Sequence, residues 1–149
     1  MSNIVNILFK KLTPTAKLPT QGSKYAAGYD AYADIEEPIE IKPHETAKIS
    51  TGLAAAVPED YWLGLFARSG LATKQGLRPA NCVGVIDPDY RGPIIMAVHN
   101  DSDIPRVINP EDRIGQLIIL PRYEWNITEV EELDTTDRAD GGFGSTDKK

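Results

Sequence analysis

The sequence predicts an all-β domain of sandwich or barrel type. Twelve Gly and eleven Pro interrupt the chain at short intervals, which leaves little room for long helices. The segments between these breakers are short and rich in β-branched and aromatic residues, as strands are. Turn signals recur throughout, the pattern of many short strands closing on one another. The 149 residues suffice for one core and argue against a second domain.

The elements follow in order. Strands are expected over Ile4–Lys10, Thr46–Ser50, Tyr61–Ala67, Ile94–His99 and Gln116–Leu120. The Tyr61–Ala67 run is apolar on both faces, so it should be covered on both sides. One helical turn fits Leu71–Gln75, between Gly70 and Gly76. Asn81–Ile86 reads as a strand that ends at Asp87-Pro88-Asp89. Asp favours turns and Pro88 lacks an N–H, so a hairpin is expected, returning from Tyr90. The stretch from Asp134 to Lys149 is polar around one aromatic, Phe143, and cannot bury enough apolar surface to fold alone. The expected division is a barrel over residues 1–133 and a glycine-rich arm over 134–149.

Charge and composition exclude several function classes. A net charge of −6 argues against a nonspecific nucleic-acid binder, which needs cations to neutralise phosphates. It leaves room for a small phosphorylated ligand held by a few local cations. With one cysteine, Cys82, and two histidines, His44 and His99, neither an internal disulfide nor a Cys/His zinc site is expected. No apolar run approaches the ~20 residues of a membrane helix. Met1–Asn6 carries no basic flank before an apolar block, so no secretory signal is expected. The lone cysteine fits a reducing compartment such as the cytoplasm, or the nucleus of a eukaryotic cell.

Five segments carry candidate chemistry. Ala26-Ala27-Gly28-Tyr29-Asp30 offers Asp30 to a Mg²⁺-bound water, or as a turn aspartate. Arg68, Ser69 and the Gly70 amide suit phosphate oxygens, though Arg-Ser-Gly also serves as an ordinary surface turn. Asn81 has a carboxamide that donates and accepts at once, as a flat hydrogen-bonding ring requires, and Asp87 is a candidate general base. The bland alternative is a solvated turn. Glu111–Leu117 brings Arg113, a partner for Glu111 or Asp112, and Gln116, which can bond a phosphate or a backbone group. Gly141-Gly142-Phe143-Gly144-Ser145-Thr146 combines glycines whose N–H groups can converge on an anion with two hydroxyls and a stacking face. Arg138 precedes it.

Taken together, these segments resemble the five motifs of the trimeric dUTPase family, in the family's order and spacing from Ala26 to Thr146. Gly-Val-Ile-Asp-Pro-Asp-Tyr-Arg-Gly at 84–92 and the terminal Gly-Gly-Phe-Gly-Ser-Thr carry most of the match. The resemblance implies a distorted jelly-roll β-barrel, a homotrimer and three active sites between subunits. The first, second and fourth motifs would come from one chain, the third from a neighbour and the arm from the remaining one. It implies hydrolysis of dUTP to dUMP and pyrophosphate with Mg²⁺, which limits uracil in DNA and supplies dUMP for dTMP synthesis. Asp87 would activate the attacking water, with Arg138 as an arginine finger. Asn81 and the strand backbone at Val85 and Ile86 would read uracil. Tyr90 would pack on the deoxyribose and Phe143 on the base. Arg68, Ser69, Gly70, Gln116, Gly144, Ser145 and Thr146 would hold the phosphates, and Asp30 would lie near the metal-water shell.

Three departures from the family pattern stand out: Asp147 in place of the usual glycine after Ser-Thr, Ala139-Asp140 where a glycine and a variable residue are common, and Ala67 where proline is common. The nearest rival, a dCTP deaminase, needs a Glu or similar base near the cytosine, and the Asn81–Asp87 stretch holds no Glu. A noncatalytic nucleotide-binding regulator or a structural jelly roll would leave Asp87, Arg138 and the arm without a purpose.

Overall fold

The computed structural model describes residues 4–145. Thr146, expected on the phosphates, and Asp147 lie outside the described residues. The described residues form twelve strands and one helical turn. The strands are β1 (Leu8–Lys11), β2 (Thr20–Gln21), β3 (Tyr29–Tyr32), β4 (Ile39–Ile41), β5 (Thr46–Ser50), β6 (Leu53–Ala56), β7 (Tyr61–Phe66), β8 (Leu77–Pro79), β9 (Gly84–Ile86), β10 (Ile95–Asn100), β11 (Arg106–Ile108) and β12 (Arg113–Pro121). The helical turn spans Leu71–Gln75. It ends because Gly76 takes a left-handed φ of 70°, which glycine adopts without strain. The all-β jelly-roll expectation holds. No helix among the described residues is long and apolar enough to cross a membrane.

All pairings are antiparallel, and most join strands distant in sequence. The largest sheet has the order β2-β3-β12-β7-β9, and the other groups are β5-β10-β8, β1-β6 and β11-β4. Strand alternation builds the core. In β10, Met96, Val98 and Asn100 are buried while Ile95 is exposed. Ile41, Ile49, Leu63, Leu65, Leu77, Ile94, Ile108, Ile114 and Leu117 join them in one cluster. Burying each large aliphatic side chain contributes ~1.5–3 kcal/mol.

Two buried residues are polar, Thr51 and Asn100. Asn100 is fully buried, and its Nδ2 donates to the carbonyls of Ile41 (2.9 Å) and Ile104 (2.8 Å). Its Oδ1 accepts from the Ser102 N–H (2.9 Å) and Oγ (2.7 Å). A carboxamide with every position filled can sit in a core without a desolvation penalty left over.

Two expectations are overturned. Asn81–Ile86 is strand only from Gly84; the first half is a turn in which Cys82 has φ 64°. The hairpin after Ile86 does not form: β9 pairs with β7, and β10 pairs with β5 and β8. The turn is present, with the Tyr90 N–H donating to the Asp87 carbonyl (3.1 Å), but the chain leaves it for another sheet. The first strand also starts later than expected, at Leu8 instead of Ile4.

Candidate active site

The five-stranded sheet aligns the first cluster. Gln116 in β12 pairs with Asp30 in β3 on one side and Phe66 in β7 on the other. Directly opposed residues share a face, so Asp30 and Gln116 point the same way. Two residues past Phe66, Arg68 leaves the end of β7. Together with Gly22, Ala26, Gly28, Ser69, Gly70 and Arg113 these residues line a cleft of about 300 Å³.

Charge organises this cleft. The Asp30 carboxylate is largely covered and meets Arg68 Nε at 3.1 Å and Arg113 Nη1 at 3.4 Å. Arg113 therefore pairs with Asp30, not with Glu111 or Asp112; Glu111 meets Lys17 at 3.3 Å. One carboxylate holds two guanidiniums beside the Ser69-Gly70 turn, which leaves a net positive mouth suited to an anion. Gln116 Nε2 donates to the Ala67 carbonyl (2.9 Å), so its Oε1 is the atom turned over Gly28. A Cβ on Gly28 would fall 2.3 Å from that oxygen. A side chain at position 28 would thus displace the Gln116 carboxamide, a constraint the sequence alone did not assign to Gly28.

The second cluster follows β9. Within the described strands β9 is the sheet edge, so half of its backbone donors and acceptors face away from β7. Asn81, Val85 and Asp87 are exposed and Ile86 is buried. Asn81 precedes the strand, on the turn closed by Val83 N–H to Asn81 O (2.7 Å). It therefore lies ahead of β9 and not within the strand expected over Asn81–Ile86. Tyr90 folds back over Gly92, where a Cβ would meet its hydroxyl at 2.5 Å, and that hydroxyl donates to the Pro93 carbonyl (2.9 Å).

The two clusters do not meet within one chain. β9 runs antiparallel to β7, with Gly84 opposite Leu65 and Ile86 opposite Leu63. Asp87 follows Ile86 toward the start of β7, whereas Arg68 follows its end. At ~3.3 Å per residue this separates them by roughly 15–20 Å along the strand axis. The cleft lining contains none of Asn81, Asp87 or Tyr90.

The third cluster is apart from both. The last strand ends at Pro121, and residues 123–140 are exposed, so the exposed run begins ahead of the expected boundary at 133/134. Arg138 Nε donates to the Gly141 carbonyl (2.8 Å) and the Ser145 N–H to the Gly142 carbonyl (3.1 Å). Phe143, at φ 51°, is fully exposed, and Gly144 follows at φ 78°. The two positive φ values fall inside the turn that the Ser145 N–H closes on the Gly142 carbonyl.

The residues do not form a closed metal site. No group of three His, Cys, Asp or Glu among the described residues could hold an ion, and the Asp30 oxygens already face two guanidiniums. The described residues thus offer Mg²⁺ no all-protein cage, and Mg²⁺ is commonly bound with only one or two carboxylates.

The dUTPase family model matches residues 14–147. This chain belongs to the dUTPase family. The deoxyuridine 5'-triphosphate nucleotidohydrolase of Desulfitobacterium hafniense (strain DSM 10664 / DCB-2) is 43% identical over 143 residues, covering 95% of each chain. A mutant dUTPase of Staphylococcus bacteriophage 80alpha, solved with dUpNHpp, superposes with a TM-score of 0.85 at 28% identity, covering 95% of this chain and 98% of that one. A mutant dUTPase from phage phi11 of S. aureus, described with a structural Mg(II) ion, superposes at 0.77 with 26% identity over 87% of this chain and 99% of that one. The enzyme class follows: a dUTP diphosphatase, a hydrolase of nucleotide metabolism.

Proposed function

We propose that the chain hydrolyses dUTP to dUMP and pyrophosphate in sites shared between copies of a homotrimer. The observation that carries this reading is the separation of the Arg68–Gln116 cleft from Asp87 along β7. One protomer cannot bring both to one nucleotide, whereas a second copy can present its β9 edge to the cleft. The arm, Arg138–Thr146, would come from a third.

In this arrangement Arg68, Ser69, Gly70 and Gln116 bind the triphosphate, with Asp30 and Arg113 fixing the direction of Arg68. The free edge of β9 at Val85 and Ile86, with the Asn81 carboxamide, reads uracil, and Tyr90 fills the space a 2′-hydroxyl would need. Asp87 accepts a proton from the attacking water as its oxygen bonds to the α-phosphorus. The bond to the bridging oxygen breaks, and pyrophosphate leaves. Mg²⁺, brought in with the triphosphate, would supply charge neutralisation for the leaving pyrophosphate. Arg138 and the glycine-rich turn at Phe143–Ser145 close over the phosphates, and Phe143 stacks on the base. Removing dUTP in this way would limit uracil in DNA and supply dUMP for dTMP synthesis.

A pyrophosphate-release assay with dUTP, dCTP, dTTP and UTP, with and without Mg²⁺, tests the reading. Release from dUTP alone, dependent on Mg²⁺, is expected. Equal turnover of UTP would remove the sugar role of Tyr90, and binding of dUTP without release would leave a regulator in place of an enzyme.

A further inference from the structure

Asn81 sits on a turn whose shape is set from outside the motif. β8 runs beside β10, with Arg78 opposite His99 and Pro79 opposite Val98. The next residue, Ala80, donates its N–H to the Ala97 carbonyl (2.8 Å). The chain then turns sharply: the Cys82 N–H donates back to the Pro79 carbonyl (3.1 Å), with Cys82 at φ 64°. The Pro79 carbonyl therefore closes the turn that presents Asn81.

That carbonyl has a second donor. Arg78 Nη1 reaches it at 2.9 Å. The rest of the guanidinium grips Asp101, Nε bonding Oδ2 and Nη2 bonding Oδ1 at 3.2 Å. Asp101 is itself anchored: its N–H donates to the Gly76 carbonyl (2.8 Å), and its Oδ1 lies 3.4 Å from His99 Nε2. His99 Nδ1 in turn meets Thr46 Oγ1 at 2.9 Å. A planar fork gripped on one side by a fixed carboxylate has little freedom left in its remaining donor. The hydrogen bond between the two is the main reason the Arg78 guanidinium is held above its usual range and the Asp101 carboxyl below its own.

We propose that Arg78, locked by Asp101, is a positioning residue that fixes the Asn81 turn and thereby the preference for uracil over cytosine. This rests on the reading that Asn81 contacts the base. A turn free to tilt would still admit the nucleotide, but its carboxamide would no longer favour one pyrimidine edge. Lysine at 78 reaches Asp101 or the Pro79 carbonyl as a point charge and cannot fork between them.

The test measures kcat and KM for dUTP and dCTP, with melting temperature, in Arg78→Met, Arg78→Lys, Asp101→Asn, Asn81→Ala and the Arg78→Met/Asn81→Ala double variant. Arg78→Met is expected to raise KM for dUTP about fivefold and lower the dUTP-to-dCTP ratio of kcat/KM by about as much, with kcat nearly unchanged. Arg78→Lys should fall between Arg78→Met and the native chain. If Arg78 acts through Asn81, the double variant loses no more selectivity than Asn81→Ala alone. A lowered melting temperature with the selectivity ratio intact in Arg78→Met would make the clamp purely structural and overturn the proposal. If Arg78→Met does not fold, Asp101→Asn is read against the same criteria. An intact ratio in Asn81→Ala would instead overturn the base contact itself.

Discussion

Asp30 shows how a single side chain changes meaning once its neighbours are known. As a lone aspartate after Gly28 and Tyr29 it suggested a metal-bound water, yet its two oxygens face Arg68 and Arg113. Its chemistry in the structure is to aim guanidiniums. Asp30→Asn is therefore expected to raise KM for dUTP several-fold with kcat little changed, because the lost charge frees Arg68 rather than removing a reacting group. A kcat loss with unchanged KM would return Asp30 to the reaction itself. Arg138 is the opposite case. It is exposed, and among the described residues its side chain bonds within its own turn, so Arg138→Ala should leave melting unchanged while lowering kcat by roughly tenfold or more, as loss of an arginine finger does. Single-turnover kinetics with dUTP would measure this, and an unchanged rate would end the assignment. Asp30, Arg68 and Gln116, which the fold gathers in one cleft, stood out in the sequence because each carries its chemistry in its own side chain. Arg113 and Gly28 were not, since their roles exist only through Asp30 and Gln116, which the sheet register brings alongside.

At the scale of elements, strands with strong local signals were legible: Thr46–Ser50 and the turn between Gly70 and Gly76 appear as the sequence predicts. The hairpin after Ile86 failed because turn chemistry fixes a reversal of direction but not the partner of the returning strand. That partner is chosen by core burial, where Met96 and Val98 on β10 enter the cluster with Ile49 and Leu77. The same connection contains Asn100, whose amide ties the end of β10 to Ile41 on β4 and to Ile104. Asn100→Leu would take its donor from the Ile41 carbonyl and its acceptor from the Ser102 N–H, at ~1–3 kcal/mol per buried group left unsatisfied. A markedly lower urea midpoint is expected; an unchanged midpoint would mean that water replaces the amide. Gly92 gives a second element-scale prediction. Gly92→Ala cannot keep the Tyr90 ring where it lies, since the added Cβ would meet its hydroxyl. The variant should retain dUTP turnover better than it retains discrimination against UTP, measured as the ratio of kcat/KM for the two nucleotides.

At the scale of the whole molecule, the separation along β7 becomes a statement about assembly. Sequence order places Arg68 and Asp87 only nineteen residues apart, which invites the picture of one pocket in one chain. Register removes it: β9 returns along β7 and carries Asp87 away from the cleft by roughly 15–20 Å. If each site takes its cleft from one copy and its Asp87 from another, two inactive variants should repair each other. Arg68→Ala damages the cleft of its own chain, and Asp87→Asn damages the base it lends to a neighbour. Co-expressed with different tags and purified through both, the mixed trimers would contain sites with an intact cleft from the Asp87→Asn chain and an intact Asp87 from the Arg68→Ala chain. Every mixed trimer holds two copies of one variant and one of the other, so one of its three sites combines the two intact halves, and activity should recover to about one third. Activity no higher than that of the separate variants would place both halves in one chain, and with it would fall the idea that the β9 edge faces another copy's cleft.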